Sequence, residues 1–304
     1  MKRKEPVLNG ILLVDKPAGW TSHDVVARCR RLLGERRIGH TGTLDPAATG
    51  LLVLCVGHAT RLVEEMTAHT KRYSGEIRLG VATDSDDATG KVIDERPVPE
   101  FGDEVLRELE MQFSGEIEQT PPAFSAIQSG GQRAYAAARA GTPLKLAPRL
   151  VAVHELRLWP TGPSTLALSV HCGPGTYIRS LARDIGVTLG CGGHLSSLRR
   201  DSVGSFGVAD GWQLAEIEAL AGRGMAGGVL LPIDEGLTAM SAAILSGDHV
   251  EDVLHGIRVQ LQVPDVGAGR TPVRVYSDEG ALVAVGALEP DGVLRPKKVL
   301  ARPD

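Results

Sequence analysis

The chain has 304 residues, 42% of them hydrophobic and 23% charged, with a formal net charge of −4. Those proportions exclude a disordered or low-complexity chain, and no apolar run reaches the length of a membrane span. The four cysteines (Cys29, Cys55, Cys172, Cys191) lack CxxC spacing and lie in or beside apolar segments. Reduced, buried thiols in a cytoplasmic protein are therefore expected, in place of disulfides or a thiolate metal site. The basic start, "MKRKEPVLNGILLVDKPAGW", has too short an apolar stretch before Asp15 and Lys16 for a good signal peptide.

In chain order, "GILLVDKP" reads as a strand ended by Pro17 and Gly19, and "TSHDVVARCRRLLG" as a helix capped by Thr21 or Ser22 and ended by Gly34. The helix has an apolar face of Val25, Val26, Cys29, Leu32 and Leu33. A constrained loop, "GHTGTLDPAATG", precedes the buried strand "LLVLCVG". "ATRLVEEM" reads as a short helix and "RYSGEIRLGVAT" as one half-buried strand. "DEVLRELEMQF" is a helix with its acids outward, and "AYAAARAG" is a short helix inside a Gly/Pro-rich passage from Thr120 to Arg149. "LALSVHCG" is a strand, "TYIRSLARDIGVTLG" a helix with Tyr177 and Arg179 just inside its start, and "HLSSLRRDSVG" another strand. This irregular alternation favours a mixed α+β sheet over a doubly wound parallel one. After a loosely patterned stretch, Ala221 to Met240, the segments "IRVQLQV", "VRVYSD" and "LVAVGAL" predict a small β-rich unit. The expected division is 1–237 and 238–304.

Charge is unevenly spread. Met1 to Arg37 has nine Lys/Arg against four Asp/Glu, and Gln128 to Arg200 has nine against two. Asp84 to Glu118 has twelve acids against three bases. If the basic segments share a face, they form a stripe able to hold phosphates despite the negative total.

The loop around Asp45 is the most constrained part of the sequence. Gly39, Gly42 and Gly50 free the backbone for unusual dihedrals or close approach, and Pro46 fixes the turn after the carboxylate. No Lys-Ser/Thr follows, so it is not a Walker loop. The plain alternative is an Asx-turn in which Asp45 caps its own loop. "TDSDDATG" fails the EF-hand template, with Ala88 at the fifth position and Thr89 at the sixth. It reads as a hairpin turn with solvated acids or as the source of a partner for a buried arginine. The nine histidines include no HExxH, and neither GxSxG nor SxxK occurs.

Taken together, "DKPAGWTSHDVV", "GHTGTLDPAATGLLVLCVGHATR", "KRYSGEIRLG", "TDSDDATG", "QTPPAFSAIQSGGQRAYAAARAG", "CGPGTYIRSLARDIG" and "GGHLSSLRR" resemble, in order and spacing, the bacterial tRNA pseudouridine-55 synthases of the TruB family. The resemblance runs from about residue 8 to 204. It implies a mainly antiparallel central sheet of the pseudouridine synthase type with a small, β-rich, PUA-like C-terminal domain. It also implies an isomerase that flips uridine 55 out of the tRNA T loop and rejoins it through carbon, with no cofactor and no metal. Asp45 matches the family's essential aspartate and Arg179 the arginine that pairs with it, which should hold the Asp45 pKa down. Asp87 matches an acid of the same network. Tyr73 matches the residue that stacks on the uracil and takes part in proton transfer. Tyr177 and Leu198 match pocket walls, and His40 a prop for the space the base vacates. Lys16 and Pro17 belong to the supporting "DKP" motif. Residues 120–149, with four bases, no acid and Gly130, Gly131 and Gly141 as candidate hinges, resemble the family's thumb over the T-stem loop.

Three positions depart from the pattern: Gln128 where lysine is usual, "CGPG" in place of a Ser/Lys-containing turn, and Gly193 for alanine. The first two are expected to remove a phosphate contact, so that affinity or salt dependence differs from relatives, and the third to be a packing change. A rival reading is an RNA-binding protein, such as a tRNA folding chaperone, which would tolerate loss of Asp45. A second is an RNA-guided synthase, against which the thumb-like insertion and short C-terminal module argue. A glycosidase would need a second acid opposite Asp45, for which Asp87 is the one candidate. Nothing in the sequence points beyond a monomer or to a membrane.

Overall fold

The computed structural model describes residues 6–125, 127–129, 131–262 and 269–300. Gly130, the end of "IRVQLQV" at Val263 and residues 264–268 and 301–304 of the second expected domain lie outside the described residues.

Nearly all side chains of β1 (Gly10–Lys16) and β3 (Thr49–Val56) are buried, as their continuous apolar runs require, and the two pair antiparallel from Gly10↔Val56 to Lys16↔Gly50. Between them, α1 (Ser22–Leu33) starts at a capping box of Thr21 and Asp24 and stops at the left-handed Gly34. The short β2 (Ile38–His40) then returns against β3. The large sheet also holds β4 (Lys71–Leu79), β5 (Gly115–Gln119), β6 (Arg149–Gly162), β7 (Thr165–Cys172) and β8 (Gly193–Val203), with the two-residue strand Phe206–Gly207 paired to β8. Its order is Leu230–Leu231, β1, β3, β8, β4, β7, β6, β5, with β3–β8 the parallel pair on this path.

One face of β4, β6, β7 and β8 is covered by α2 (Asp103–Gln112) and α3 (Ile178–Thr188), around Ile77, Leu109, Leu156, Leu168, Leu181 and Ile185. Helix α3 can approach because Gly186 has no side chain: a Cβ there would lie 2.4 Å from the carbonyl carbon of Gly192. Gly193 belongs to the same contact, its Cβ position being 3.2 Å from the Arg78 carbonyl oxygen. The Gly193 departure is thus a packing feature.

The sheet differs from the sequence reading where its ladder is irregular. "RYSGEIRLGVAT" is two strands, broken at Gly80, which is left-handed at φ 81° with Arg96 O and Val98 against it. "ATRLVEEM" begins as a 3-10 turn, Gly57–Leu62. β6 has no counterpart in the reading, because a bulge at His154 shifts its alternation from Val151 and Val153 to Leu156 and Leu158. The stretch from Ala221 to Met240 includes the strand that covers the β1 edge.

A second, five-stranded sheet holds β9 (Ser241–Leu245), β10 (Val259–Gln260), β11 (Thr271–Ser277), β12 (Leu282–Leu288) and β13 (Val293–Val299), in the order β9, β11, β12, β13, β10. It seats on the first through Val285 and Leu300, packed with Leu13 and Leu62, and through Lys298, 2.7 Å from Glu64 and 2.9 Å from Glu65. Among the described residues no helix is long and apolar enough to cross a membrane, and all four cysteines are free and buried.

Gly50 is where glycine is indispensable. It has φ 99°, and a Cβ would lie 2.3 Å from the Arg200 carbonyl oxygen on β8. Gly50→Ala is expected to cost about 2–4 kcal/mol in urea denaturation. Gly34→Ala, with a similar handedness but nothing within 4 Å, should cost only about 1 kcal/mol. Equal losses at both would mean that the β3–β8 contact gives way freely.

Candidate active site

The loop between β2 and β3 is held from below by the "DKP" motif. The Lys16 side chain is fully buried, and its ammonium donates to the carbonyls of Pro17 (2.9 Å), Trp20 (2.8 Å) and Pro46 (3.2 Å). Gly19 N also donates to Pro46 O at 2.8 Å. Ser22 Oγ, in the first turn of α1, both donates to Leu44 O and accepts from Leu44 N, at 3.1 and 2.9 Å. These bonds fix the residues on either side of Asp45. Its backbone carbonyl closes a turn to Ala48 N, while its side chain is directed elsewhere, so the Asx-turn is not formed. Of the three loop glycines, Gly39 and Gly42 have neither a positive φ nor a prohibitive neighbour, so only Gly50 meets the expectation of unusual backbone.

The Asp45 carboxylate meets Arg179 in a two-pronged contact: Nε to Oδ2 at 2.9 Å and Nη2 to Oδ1 at 3.2 Å. The arginine side chain is 6% exposed and the aspartate 40%, so the pair faces outward from an arginine sunk in the protein. Arg179 also donates to Ser85 O (3.0 Å) and Phe124 O (2.9 Å), and lies 3.7 Å from Asp87. Asp87 is itself held by Ser85 Oγ, Thr89 N and Thr89 Oγ1. The adjacent Asp86, left-handed at φ 61°, pairs with Arg183 at 2.8 Å. Two acids of the acidic segment thus turn inward to the basic one.

The sequence leads one to expect a depressed Asp45 pKa. The structure reverses this: burial pushes the carboxyl above the ordinary 3.8, Asp87 adds to the rise, and Arg179 only partly offsets it.

Tyr73, on β4, is buried in the main core and stands opposite Arg200 of β8 in the ladder; burial raises its pKa. Leu198 lies on the same face of β8, directly across from Gly75, with its Cδ1 3.4 Å from where a Gly75 Cβ would be. Tyr177 is the residue preceding α3 and not part of its first turn. Its backbone N–H and C=O bond the Gln119 amide at 2.7 and 3.0 Å, and the Arg149 guanidinium lies 4.9 Å from its ring centroid. Arg149 also donates to Gly175 O in the "CGPG" turn. His40, at the end of β2, packs edge-on to His23 with ring centroids 5.5 Å apart, and its buried Nδ1 has no partner among the described residues. Burial, His23 and Arg200 hold its pKa down. In the thumb-like segment, Gly131 and Gly141 are left-handed, and the helix Ala134–Arg139 sets Arg139 over Tyr135.

Two buried cations were missed from sequence. Lys71 donates to Thr67 O and His69 O, and Arg200 to Leu51 O and Gly42 O. Burial lowers Lys71 and Lys16 to about 8, with Arg200 contributing to both. Their signal was the charge inside strands that are otherwise inward-facing. Among the described residues no group of three or more His, Cys, Asp or Glu is placed to hold a metal ion.

Residues 30–178 match the sequence profile described as the N-terminal domain of TruB family pseudouridylate synthases. Residues 179–238 match that of the tRNA pseudouridylate synthase B C-terminal domain, and 241–300 that of pseudouridine synthase II TruB, C-terminal. The chain is 38% identical over 295 residues to tRNA pseudouridine synthase B of Dehalococcoides mccartyi strain CBDB1, covering 97% of each. It belongs to the TruB family. The same-named protein of Thermobifida fusca is 42% identical, with 91% of this chain and 94% of that one covered. Among solved structures, a chain of a Cbf5–Nop10–Gar1 complex superposes with a TM-score of 0.74 at 26% identity, over 96% of this chain and 85% of that one. This TruB family member is a pseudouridine synthase with the mixed, mainly antiparallel sheet expected of it.

The raised Asp45 pKa has a direct test. In carboxyl-carbon NMR, Asp45 should titrate with a midpoint above 3.8. Its carboxylate is then lost, as pH falls, earlier than that of an exposed aspartate. Asp87→Asn should lower the midpoint, since one source of repulsion goes. A midpoint below 3.8 would show that Arg179 outweighs burial after all.

Proposed function

We propose that the chain converts uridine 55 in the T loop of tRNA to pseudouridine, with Asp45 as the catalytic carboxylate and no cofactor. The observation that carries this reading is the two-pronged contact of Asp45 with Arg179, in a chain whose curated relatives are named tRNA pseudouridine synthase B.

The chemistry asks for little else. The N1–C1′ bond breaks and a C5–C1′ bond forms; C5 loses a proton and N1 gains one. No electrons are exchanged and no net proton is taken up. An ionised Asp45 can add to the uracil ring, add to C1′ of the sugar, or assist removal of a sugar proton, and Arg179 fixes its direction for any of these. The target base is stacked inside the folded loop, so it has to be flipped out. The Tyr73 ring then gives a stacking face that lets the detached uracil rotate, and its hydroxyl takes part in proton transfer. Leu198 and Tyr177 form the walls, and His40 fills the place the base leaves. Asp87 holds Arg179 from behind, while Lys16 and Pro17 secure the loop.

In this reading residues 120–149 close over the T-stem loop, and residues 238–304 are an appended RNA-binding module on a catalytic domain of 1–237. The protein works in the cytoplasm, as a monomer and without a guide RNA.

Unmodified tRNA transcript, incubated without added metal, should acquire pseudouridine at position 55 with the wild type. Asp45→Asn should bind the transcript within about threefold and lose at least about 1,000-fold in rate. Equal product from both variants would remove Asp45 from the mechanism. Binding by both with no product from either would put a tRNA chaperone in place of the enzyme.

A further inference from the structure

The thumb-like segment leaves the large sheet after Gln119, the last residue of β5, and returns at Arg149, the first of β6. The two residues stand directly opposite each other at the end of the β5–β6 ladder. Both reach Tyr177. The Gln119 side-chain amide accepts from Tyr177 N at 2.7 Å and donates to Tyr177 O at 3.0 Å. The Arg149 guanidinium carbon lies 4.9 Å from the centre of the Tyr177 ring, and its Nη2 donates to Gly175 O at 3.2 Å. Thr120 O, next on the first stem, accepts from Ser180 Oγ at 2.8 Å and from Arg183 Nη2 at 2.9 Å.

We propose that Gln119 and Arg149 are positioning residues that make Tyr177 answer to the thumb-like segment: while the two stems are paired, the tyrosine is held by its backbone and its ring together. The proposal rests on the function assigned above, in which Tyr177 is a wall of the pocket.

The need for such a hold begins in the sequence. Helix α3 has no side-chain cap of its own, because the residue before it is a tyrosine. Its first backbone groups therefore need a partner from elsewhere. A side-chain amide suits them, since one acceptor and one donor in a plane match the N–H and C=O of a single extended residue. Gln119 is 1% exposed, so losing either bond leaves a buried group unpaired. Tyr177 is kept extended, at φ −102° and ψ 112°, while Leu181 N takes the same carbonyl to begin the helix.

Arg149 adds the hold on the ring. A guanidinium within about 6 Å of a tyrosine centroid is attracted to its face. The Arg149 Nε is buried and has no hydrogen-bond partner among the described residues. An arginine that served only as a phosphate contact would have no reason to sink that donor. Its charge is turned to the tyrosine instead.

The kinetic test is a cycle of Arg149→Met, Tyr177→Leu and the double variant, with Gln119→Glu alongside, measured as kcat and KM on tRNA transcript. Arg149→Met should lower kcat about tenfold with KM unchanged within about twofold. In the Tyr177→Leu background the same change should cost less than about twofold. Gln119→Glu keeps the acceptor for Tyr177 N, removes the donor to Tyr177 O, and should lower kcat to a similar extent. A raised KM with kcat intact and a flatter salt dependence would make Arg149 a phosphate contact. That result, an undiminished loss in the Tyr177→Leu background, or full kcat in Gln119→Glu would overturn the proposal.

A second readout leaves Gln119, Arg149 and Tyr177 in place. Ala137→Pro breaks the helix Ala134–Arg139 of the thumb-like segment. With ring-labelled tyrosine, the Tyr177 Cζ resonance should then move along with that of Tyr135, while those of Tyr73 and Tyr276 stay. A Tyr177 signal that stays while Tyr135 moves would overturn the proposal even if catalysis suffers. Should the stem variants not fold, this readout decides alone. A wild type that makes no pseudouridine at 55, with the Tyr177 response present, would instead fault the assigned function.

Discussion

The contact between Asp45 and Arg179 is the constraint on which the rest of the structure depends. An arginine this deeply buried is stable only if nearly all its donors are used. Here they are used on Asp45, Ser85 and Phe124, with the Asp87 carboxylate 3.7 Å away as a further charge partner. One guanidinium therefore joins the loop before β3, the turn after β4 and the root of the thumb-like segment. Around the start of α3, Tyr177 just before it bonds Gln119, Ser180 bonds Thr120, and Arg183 one turn further bonds both Thr120 and Asp86. A helix start that serves so many segments has to be held rigidly. The glycine-lined approach of α3 to Gly192 does this.

The charge in the cleft is one-sided. Lys16, Lys71, Arg179 and Arg200 are all buried, and the acids near them are Asp45 and Asp87. Burial lowers both lysines to about 8, and the neighbouring Arg200 adds to the fall. Backbone carbonyls, rather than carboxylates, satisfy the lysines and Arg200. That choice leaves a positive potential uncancelled. For the proposed substrate, a polyanion, the unspent potential is favourable on binding, so part of the cost to the fold is offset when RNA is present.

How much of this could be read in the sequence follows from where the chain is locally regular. The β1 and β3 strands, α1 with its caps, and α3 were legible because their apolar patterns run without interruption. The Asp45 loop was legible as a constrained turn, and the resemblance supplied its partner, Arg179, 134 residues away. The β6 strand was not legible, since the bulge at His154 breaks its period at the middle. Arg200 was hidden for the same reason. In "HLSSLRRDSV" strict alternation cannot say which arginine points in, and only the bulges at Ser196 and Asp201 decide it. Arg199 goes outward to Asp15, at 2.8 Å, and Arg200 goes inward to Tyr73. The direction of the Asp45 pKa was misjudged because a sequence shows the charge partner and not the burial.

The two sides of the cleft are held in different ways. The Asp45 loop is tied to β1 and α1 by Lys16, Gly19 and Ser22, all on one contiguous stretch of chain. Among the described residues, the thumb-like segment reaches the same arginine through the carbonyl of Phe124. Moving that segment therefore breaks one charge-assisted bond of Arg179 and leaves both of its bonds to Asp45 in place. A substrate whose base must be flipped needs an entrance that opens and a carboxylate that does not shift when it does. If residues 120–149 close over the substrate as proposed, dividing the donors of one buried guanidinium between the Asp45 loop and that segment meets both requirements with a single side chain.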